Sequence, residues 1–442
     1  MSTTMGASPL DTVSRRQMFM AVMASSLGWA LDLFDLFILL YVAPVIGKLF
    51  FPSDVPTLSL AAVYASFAVT LLMRPVGSAL FGSYADLKGR KGAMIVAVIG
   101  VGVSTAAFGL LPTIAQVGVF APILFLVLRL IQGIFVGGVV ASTHTIGTES
   151  VPPKWRGAMS GLVGGGGAGI GALLASLVYL ATTEAFPGEQ FAVWGWRVMF
   201  FSGILSAVLG VFIFNTLEES PIWAQLQKAK AAKGAVKPEH PVRVLFSAPW
   251  RKVLLLNLLL STGGGAGYYL TSGYLPTFLK VVANVPARES SFILIGASLL
   301  AIVAALAVGH LSTIIGRKKA FLIMGTLRLF LLPICFLQMA GAHGDMGTIW
   351  LYALLLSFLG NAGYAPLLIF LNERFPTALR STGTGLSWNI GFAIGGIMPT
   401  FVSLAAPNTQ ALPQVLAVFL VAISVLFLVG AAVSPETRGN MD

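Results

Sequence analysis

Apolar stretches of about 20 residues or more recur from near the start of the chain to near its end, separated by short polar breaks. A helix rising about 1.5 Å per residue crosses the hydrocarbon layer in such a stretch. Twelve spans fit, at 18–47, 58–84, 92–112, 118–147, 158–182, 197–216, 251–279, 290–314, 319–340, 347–372, 381–404 and 411–433. A closed β-barrel also satisfies every backbone group in lipid, but its strands run about 10 residues and alternate apolar with polar positions. These segments do not alternate. The pattern predicts an all-α membrane protein.

Composition removes the soluble alternative: of 442 residues 57% are hydrophobic and only 10% charged, and the mean hydropathy is +0.89. The polar start, Met1 to Gln17, feeds an apolar run too long for a signal peptide and without a cleavage-like ending, so it is expected to stay attached. The single cysteine, Cys335, excludes an intramolecular disulfide and reads as a small packing residue.

A net charge of +11 raises the question of nucleic acid, but the placement of the 27 basic residues answers it differently. Twenty share the side of the N-terminus, the loops near Asp86, Pro152, Gly316 and Pro376, the central loop and the C-terminus. Four (Lys48, Arg197, Lys280, Arg288) fall opposite, and Arg74, Arg129 and Arg328 lie within spans. The positive-inside rule therefore predicts a multi-pass inner-membrane protein with both termini cytoplasmic, which needs an even number of spans. No nucleic-acid partner is expected.

The chain repeats itself. Glu149, Pro152 and Arg156 return as Glu373, Pro376 and Arg380, each offset by 224, with Gly157 and Gly383 following. A second signature, Gly82, Gly89, Arg90 and Lys91, returns as Gly309, Gly316, Arg317 and Lys318, offset by 227. Two signatures at nearly one offset predict duplicated halves, an N-terminal six-helix bundle over 1–217 and a C-terminal one over 251–442. The polar segment 218–250 is the expected cytoplasmic linker. Such halves place a site between them at the midplane.

G-x-x-x-D-x-x-G-R-K after the second span, with R-x-x-Q-G (Arg129, Gln132, Gly133) in the fourth, resembles the major facilitator superfamily. Phe51-Pro52-Ser53, Leu72-Met73-Arg74-Pro75, the run from Arg129 to Gly138 and Glu373-Arg-Phe-Pro-Thr-Ala-Leu-Arg380 resemble the metabolite:proton symporters. Leu31-Asp-Leu-Phe-Asp35 is similar to the sialate and lactate symporters. The resemblance covers nearly the whole chain and implies two pseudo-symmetric six-helix bundles. It also implies gating between the halves by Asp86, Gly89, Arg90 and Lys91, with Glu149, Arg156, Glu373 and Arg380 in the second signature. Two departures stand out: Thr313 occupies the acid position of the second copy, and Val139 stands where many metabolite symporters have Glu. The first predicts an asymmetric gate dominated by Asp86; the second removes one coupling carboxylate.

Ionisable groups in hydrocarbon are costly, which makes those at the midplane functional candidates. Asp32 and Asp35 lie three residues apart on one face of the first span, with Trp29. A carboxyl taken out of water favours its neutral form and a nearby cation favours the charged one, so an acid beside a movable cation loads and releases a proton. A permanent structural ion pair is the competing reading. Arg129, roughly 15 Å into the fourth span, presents a fork that suits a carboxylate, and a clamp within the N-terminal half is its alternative. The resemblance ties this position to proton coupling, so the expected switch has ionised Asp32 or Asp35 holding Arg129 until protonation frees it.

Arg74, before Pro75, is a second candidate anion site, or a packing residue at a proline bend. Tyr268, Tyr269 and Tyr274 among glycines mark a breakable seventh span, and Asn361 and Tyr364 in Gly360-Asn-Ala-Gly-Tyr-Ala-Pro366 a breakable tenth. These and Asn389 in the eleventh span are candidate substrate contacts, each with core packing as its alternative. Arg328 is expected to snorkel or to stabilise the C-terminal half, and His144 reads as a polar end-of-helix residue. The glycine run Gly164 to Gly167, then Gly169 and Gly171, lacks the Lys-Ser/Thr of a phosphate loop and reads as close helix packing.

The expected function is proton-coupled symport of a small organic anion, a mono- or dicarboxylate, into the cell. The alternative is a carrier of an aromatic acid, sialic acid, osmolyte or sugar-like solute; a non-transporting solute sensor is the reading from another class. No hydrolase or Walker signature occurs, so an enzyme is not expected, nor a cofactor or metal. A functional monomer is expected.

Overall fold

The computed structural model describes residues 14–88, 90–216, 241–376 and 379–440. No strand occurs among them. Eleven helical stretches are long and apolar enough to cross a membrane, and a twelfth, third in order, has a shorter apolar core at Ile95–Phe108. In chain order these are α1 (Arg15–Phe50), α2 (Pro56–Lys88), α3 (Arg90–Phe108), α4 (Phe120–Glu149), α5 (Pro153–Ala185) and α6 (Phe191–Gly195, Trp196–Phe201 and Gly203–Thr216). Then follow α7 (Ala248–Val281), α8 (Ala287–Ile315), α9 (Arg317–Ala340), α10 (Met346–Glu373), α11 (Arg380–Gly396 and Met398–Ala405) and α12 (Leu412–Val433). Each expected span is found. The linker expected at 218–250 lies mostly outside the described residues; its last part forms a short helix, Pro241–Leu245, and the start of α7.

The ends are tied down by local polar chemistry. Ser14 accepts from the Gln17 amide while the Gln17 side chain accepts from the Ser14 amide, closing a capping box on α1. Asp345 accepts from the Gly347 and Thr348 amides at the start of α10. The Thr348 hydroxyl and these amides hold the Asp345 carboxyl below its usual range.

Several spans depart from α geometry, three of them by a π-helical turn. A π-helical turn interrupts α5 at Leu162–Gly166, α6 at Phe191–Gly195 and α7 at Tyr269–Gly273. In α10 the ladder stops at Ala362 and resumes at Leu367 after a turn ending in Pro366, which has no N–H to give. The breaks anticipated in the seventh and tenth spans are therefore present.

The chain forms the two six-helix bundles of its fold, α1–α6 and α7–α12. They meet mainly where α5 lies along α8 and α2 along α11. A shift by one half exchanges these pairings, so the seam has the symmetry of the sequence repeat. The glycines of α5 make the seam close: a Cβ at Gly161 would strike the Ala305 carbonyl of α8, and one at Gly157 the Gly309 carbonyl. Gly171, on the opposite face, meets the Ala30 carbonyl of α1.

Candidate functional site

The midplane acids are buried, as the sequence requires of charges in such a helix: Asp32 is 4% and Asp35 2% exposed. Arg74 descends from α2 and places Nη2 3.7 Å from Asp32 Oδ2. Arg129 comes from α4, donates Nη1 to Gln132 Oε1 at 2.6 Å, and lies over the rings of Phe108 (4.1 Å) and Phe125 (5.1 Å). Gln132 passes the chain on to Thr105 Oγ1 at 2.7 Å. Asp32, Asp35, Arg74 and Arg129 all line one cavity of about 10 Å³, room for about one water.

This pairing differs from the expected switch. Arg74, not Arg129, is the ion-pair partner of Asp32, and Arg129, which shares the cavity with Asp35, makes no ion pair within 4.0 Å among the described residues. The reason lies in lateral packing. Gly133 and Gly137 of α4 sit so close to Thr70 and Arg74 that a Cβ at Gly137 would strike the Arg74 carbonyl, and α2 is thereby held against α4 with Arg74 buried, 3% exposed. Neither Asp35 oxygen has a hydrogen bond of acceptable geometry, although the Thr105 hydroxyl lies alongside. Nε and Nη2 of Arg129 are likewise unbonded.

Across from this cluster the interrupted helices bring aromatic rings together. Tyr268 and Tyr269 leave the π-turn of α7 and Tyr364 the break in α10; the Tyr268 ring lies 5.2 Å from Tyr269, 5.7 Å from Tyr364 and 6.1 Å from Phe37 of α1. Phe67, on the wall of the cavity that holds Asp32 and Arg74, meets the Tyr269 ring at 5.4 Å. Trp388 of α11 stacks on Phe392 at 4.3 Å and stands edge-on to His144 (4.7 Å) and Trp29 (5.9 Å). The Tyr268 hydroxyl, Trp388 Nε1 and His144 Nε2 are buried without partners. A second small cavity, about 20 Å³, is lined by Phe37, Tyr41, Tyr268, Ser272, Ser298 and Asn361 among others. Asn361 donates to Ser272 Oγ and the Ser357 carbonyl, both at 2.9 Å, and its own oxygen is unpaired.

Other expected residues fall elsewhere. Tyr274 is stacked on Tyr64 at 5.1 Å and hydrogen bonded to Ser403 at 2.9 Å, outside the aromatic cluster. Asn389 reaches across the halves to Ser78 Oγ at 3.3 Å. Arg328 does not snorkel: it is fully buried, gives Nη2 to the Gly263 carbonyl at 3.1 Å, and fits only because Gly267 and Gly363 lack side chains. His144 is no end-of-helix residue but is enclosed between two tryptophans, and its carbonyl accepts from Asn372 at 3.2 Å.

Of the gating residues, Gly89 and the side chains of Asp86, Arg90, Lys91 and Glu149 lie outside the described residues. In the second copy, Arg317 donates Nη2 and Nε to Glu373 at 3.0 and 3.2 Å and Nη1 to Thr313 at 3.0 Å. Glu373 thus supplies the carboxylate that the second copy lacks at Thr313. Arg156 is buried, and Arg380 donates to the Asn372 carbonyl at 3.0 Å. Trp388, Asn372 and Tyr41 were not singled out by the sequence, although Trp388 adjoins Asn389 and Asn372 adjoins Glu373, and Gln132 was named only as part of its motif.

Both faces of the seam are shut. On the side of the termini, Ser160 Oγ donates to the Ala365 carbonyl at 2.8 Å and Asn372 to Thr148 at 2.9 Å. On the other side Tyr64 meets Thr277 at 2.9 Å, and Glu184 pairs with Arg288 at 3.2 Å on the exposed rim. The two central cavities among the described residues, about 10 and 20 Å³, are of water size.

The comparisons agree with this architecture. The xylose transporter XylE from E. coli, in a partially occluded inward open conformation, superposes with a TM-score of 0.71 over 96% of this chain and 99% of its own, at 18% identity, which speaks to fold alone. The inner membrane metabolite transport protein YhjE of Escherichia coli strain K12 is 30% identical over 422 residues, 94% of each chain. The proline/betaine transporter of Salmonella typhimurium is 29% identical over 425 residues, 95% of this chain and 84% of its own. Residues 17–399 match the Major Facilitator Superfamily profile, and the chain belongs to that family of membrane transporters.

Proposed function

We propose that the protein is a proton-coupled symporter of a small zwitterionic osmolyte of the proline or betaine type. The observation that carries this reading is the buried Asp32–Arg74 pair in a cavity whose wall residue Phe67 meets the Tyr269 ring at 5.4 Å, where the cluster of Tyr269, Tyr268 and Tyr364 begins. A betaine has a carboxylate at one end and a quaternary ammonium at the other. A guanidinium released from its aspartate suits the first; a set of aromatic faces suits the second by cation–π attraction. The expected mono- or dicarboxylate gives way here, because an acid with no cationic end leaves the aromatic wall without a role. Curated relatives named as proline/betaine transporters support the zwitterion.

Protonation of Asp32 removes the counter-ion of Arg74 and frees the guanidinium for the solute carboxylate. Asp35, sharing the small cavity, is the adjoining proton acceptor, and Arg129 keeps that end of the cluster positive. Substrate and proton then load together, and the seam opens from one face and closes on the other. Both termini lie in the cytoplasm, placing the Ser160 and Asn372 contacts on the inner side.

The test is uptake into proteoliposomes under an inward proton gradient, with glycine betaine, proline, lactate and succinate in parallel. Accumulation of the two zwitterions that collapses when the gradient is dissipated is expected. Uptake of lactate or succinate with no zwitterion transport would overturn the reading.

A further inference from the structure

The largest cavity among those described does not hold the central site. A vestibule of about 580 Å³ opens on the face opposite the termini, between the ends of α1 and α5 in one half and α7 and α8 in the other. That volume is in the range of small-molecule sites, about 300–1,000 Å³. Its walls are largely apolar, from Pro44, Tyr179, Phe186 and Phe191, and each half contributes one lysine: Lys48 from the end of α1 and Lys280 from the end of α7. Both lysines are exposed and line this one cavity. Neither has an acidic partner among the described residues, whereas the other two cations on this face are occupied. Arg288 is paired with Glu184 at 3.2 Å, and Arg197 donates to the Gly109 and Leu111 carbonyls at 2.7 and 2.9 Å.

The vestibule lies one aromatic layer from the inner cavity. Tyr179 lines the vestibule and Tyr41 the inner cavity. Their rings meet at 5.7 Å, and the Tyr41 hydroxyl is held by Ser176 at 2.8 Å. An anion resting between the lysines therefore sits at the mouth of the path toward Tyr268 and Asn361, with Tyr41 as the partition. The two halves thus each bring one positive charge to the same mouth, a local field that attracts an anion.

We infer that Lys48 and Lys280 form a capture site for the carboxylate of the incoming solute, occupied before the Tyr41 partition opens. The identity of the solute rests on the osmolyte reading; the carboxylate chemistry does not. An anion held between the halves is also released as they separate on that face or move past each other, so capture and transit are linked.

The experiment compares the wild type, Lys48→Ala/Lys280→Ala and Lys48→Arg/Lys280→Arg, each as the full chain in proteoliposomes. Initial rates are taken for glycine betaine and for propionate, at about 10 mM and about 300 mM ionic strength, where screening lengths differ several-fold. In the alanine variant the KM at low salt rises about threefold or more with Vmax unchanged, more for propionate, which has net charge, than for the zwitterion. The arginine variant keeps the wild-type KM, and high salt brings all three together. An unchanged KM in the alanine variant overturns the proposal. So does an effect seen only with phosphatidylglycerol vesicles and lost in phosphatidylcholine, which would make a lipid phosphate the occupant. A wild type that carries propionate and not betaine defeats the osmolyte reading alone, and the lysines are then judged on propionate. A wild type that carries neither defeats the capture site as well.

Discussion

Arg74 of α2 and Asp32 of α1 face each other at 3.7 Å with 3% and 1% of their side chains exposed, an ion pair removed from water inside a bundle of apolar helices. Such a pair gains little over a hydrophobic pair of the same shape, yet losing one member strands the other. The proposed cycle, in which the pair is broken and remade, would give its place at the midplane a role.

The first prediction follows from that asymmetry. Asp32→Asn and Arg74→Gln should each lower stability in detergent by about 3 kcal/mol or more, and the double variant should recover most of the loss. All three should fail to accumulate solute against a gradient, because the proton and the carboxylate use the same pair. Thermal unfolding and gradient-driven uptake decide it. A double variant no more stable than the singles would show that the two groups do not interact.

The aromatic wall gives the second. Trp388 is stacked flat on Phe392 and borders Tyr364 at 6.2 Å. Trp388→Leu should raise the KM for glycine betaine about 5- to 30-fold, the equivalent of about 1–2 kcal/mol of cation–π attraction, and Trp388→Phe should restore part of it. Proline, with its smaller hydrogen-bonding ammonium, should be affected less. An equal rise for lactate and betaine would assign Trp388 to packing.

The sequence made the helices, their order and their duplication legible, because lipid permits few backbone solutions and a repeat of 224 residues with motifs in register leaves one arrangement. Asp32 and Asp35 were legible for the same reason, being acids with nowhere to hide. Their partners were not. Whether Arg74 or Arg129 reaches Asp32 depends on how tightly Gly137 lets α2 lie against α4, which no spacing along the chain encodes. Arg328 illustrates the same limit: a lone cation in a span reads as snorkelling or as stabilising its half, and only Gly267 and Gly363, distant in sequence, which make room for it, decide for the second. The aromatic wall was hidden by its own composition, since Tyr268, Tyr364 and Trp388 read equally well as core. The proposed substrate class leans on that wall, which is why the sequence placed an osmolyte only among its alternatives.

A third prediction concerns the face that carries the termini. Glu436, just past α12, accepts from the Arg317 amide at 2.9 Å and the Lys318 amide at 3.1 Å, where α9 begins. Partial burial pushes its carboxyl up, but these amides and those of Thr437 and Arg438 outweigh it and hold the group below its ordinary range. A depressed folded value means stabilisation present above the unfolded value and lost as pH falls through the folded one. Glu436→Gln should therefore lower the Tm at neutral pH by about 2 °C or more, and its Tm should converge with that of the wild type in acid. A constant gap across the acid range would show that the charge is not what binds α9 to the C-terminal segment.

The last prediction tests the seam as a moving part. Gly161 of α5 faces the Ala305 carbonyl of α8, and a side chain there cannot fit while the face that carries the termini is shut. Beside it, Ser160 Oγ donates to the Ala365 carbonyl at 2.8 Å and accepts the Ile369 amide at 3.0 Å, so one turn of α5 closes against both α8 and the broken part of α10. Gly161→Leu should wedge this contact and hold the protein open toward the side of the termini. A cysteine introduced at Ala365, in a chain whose sole native Cys335 has been replaced by serine, reports the change. With Gly161 in place Ala365 is 1% exposed and should label slowly from that side with a membrane-impermeant maleimide. In the Gly161→Leu background, labelling should quicken by about tenfold or more, a shift of about 1.4 kcal/mol in the open population, while net transport falls because the closed state can no longer form. Fast labelling with transport intact would mean that α5 and α8 need not meet here during the cycle. Unchanged labelling would mean that the glycine serves packing alone.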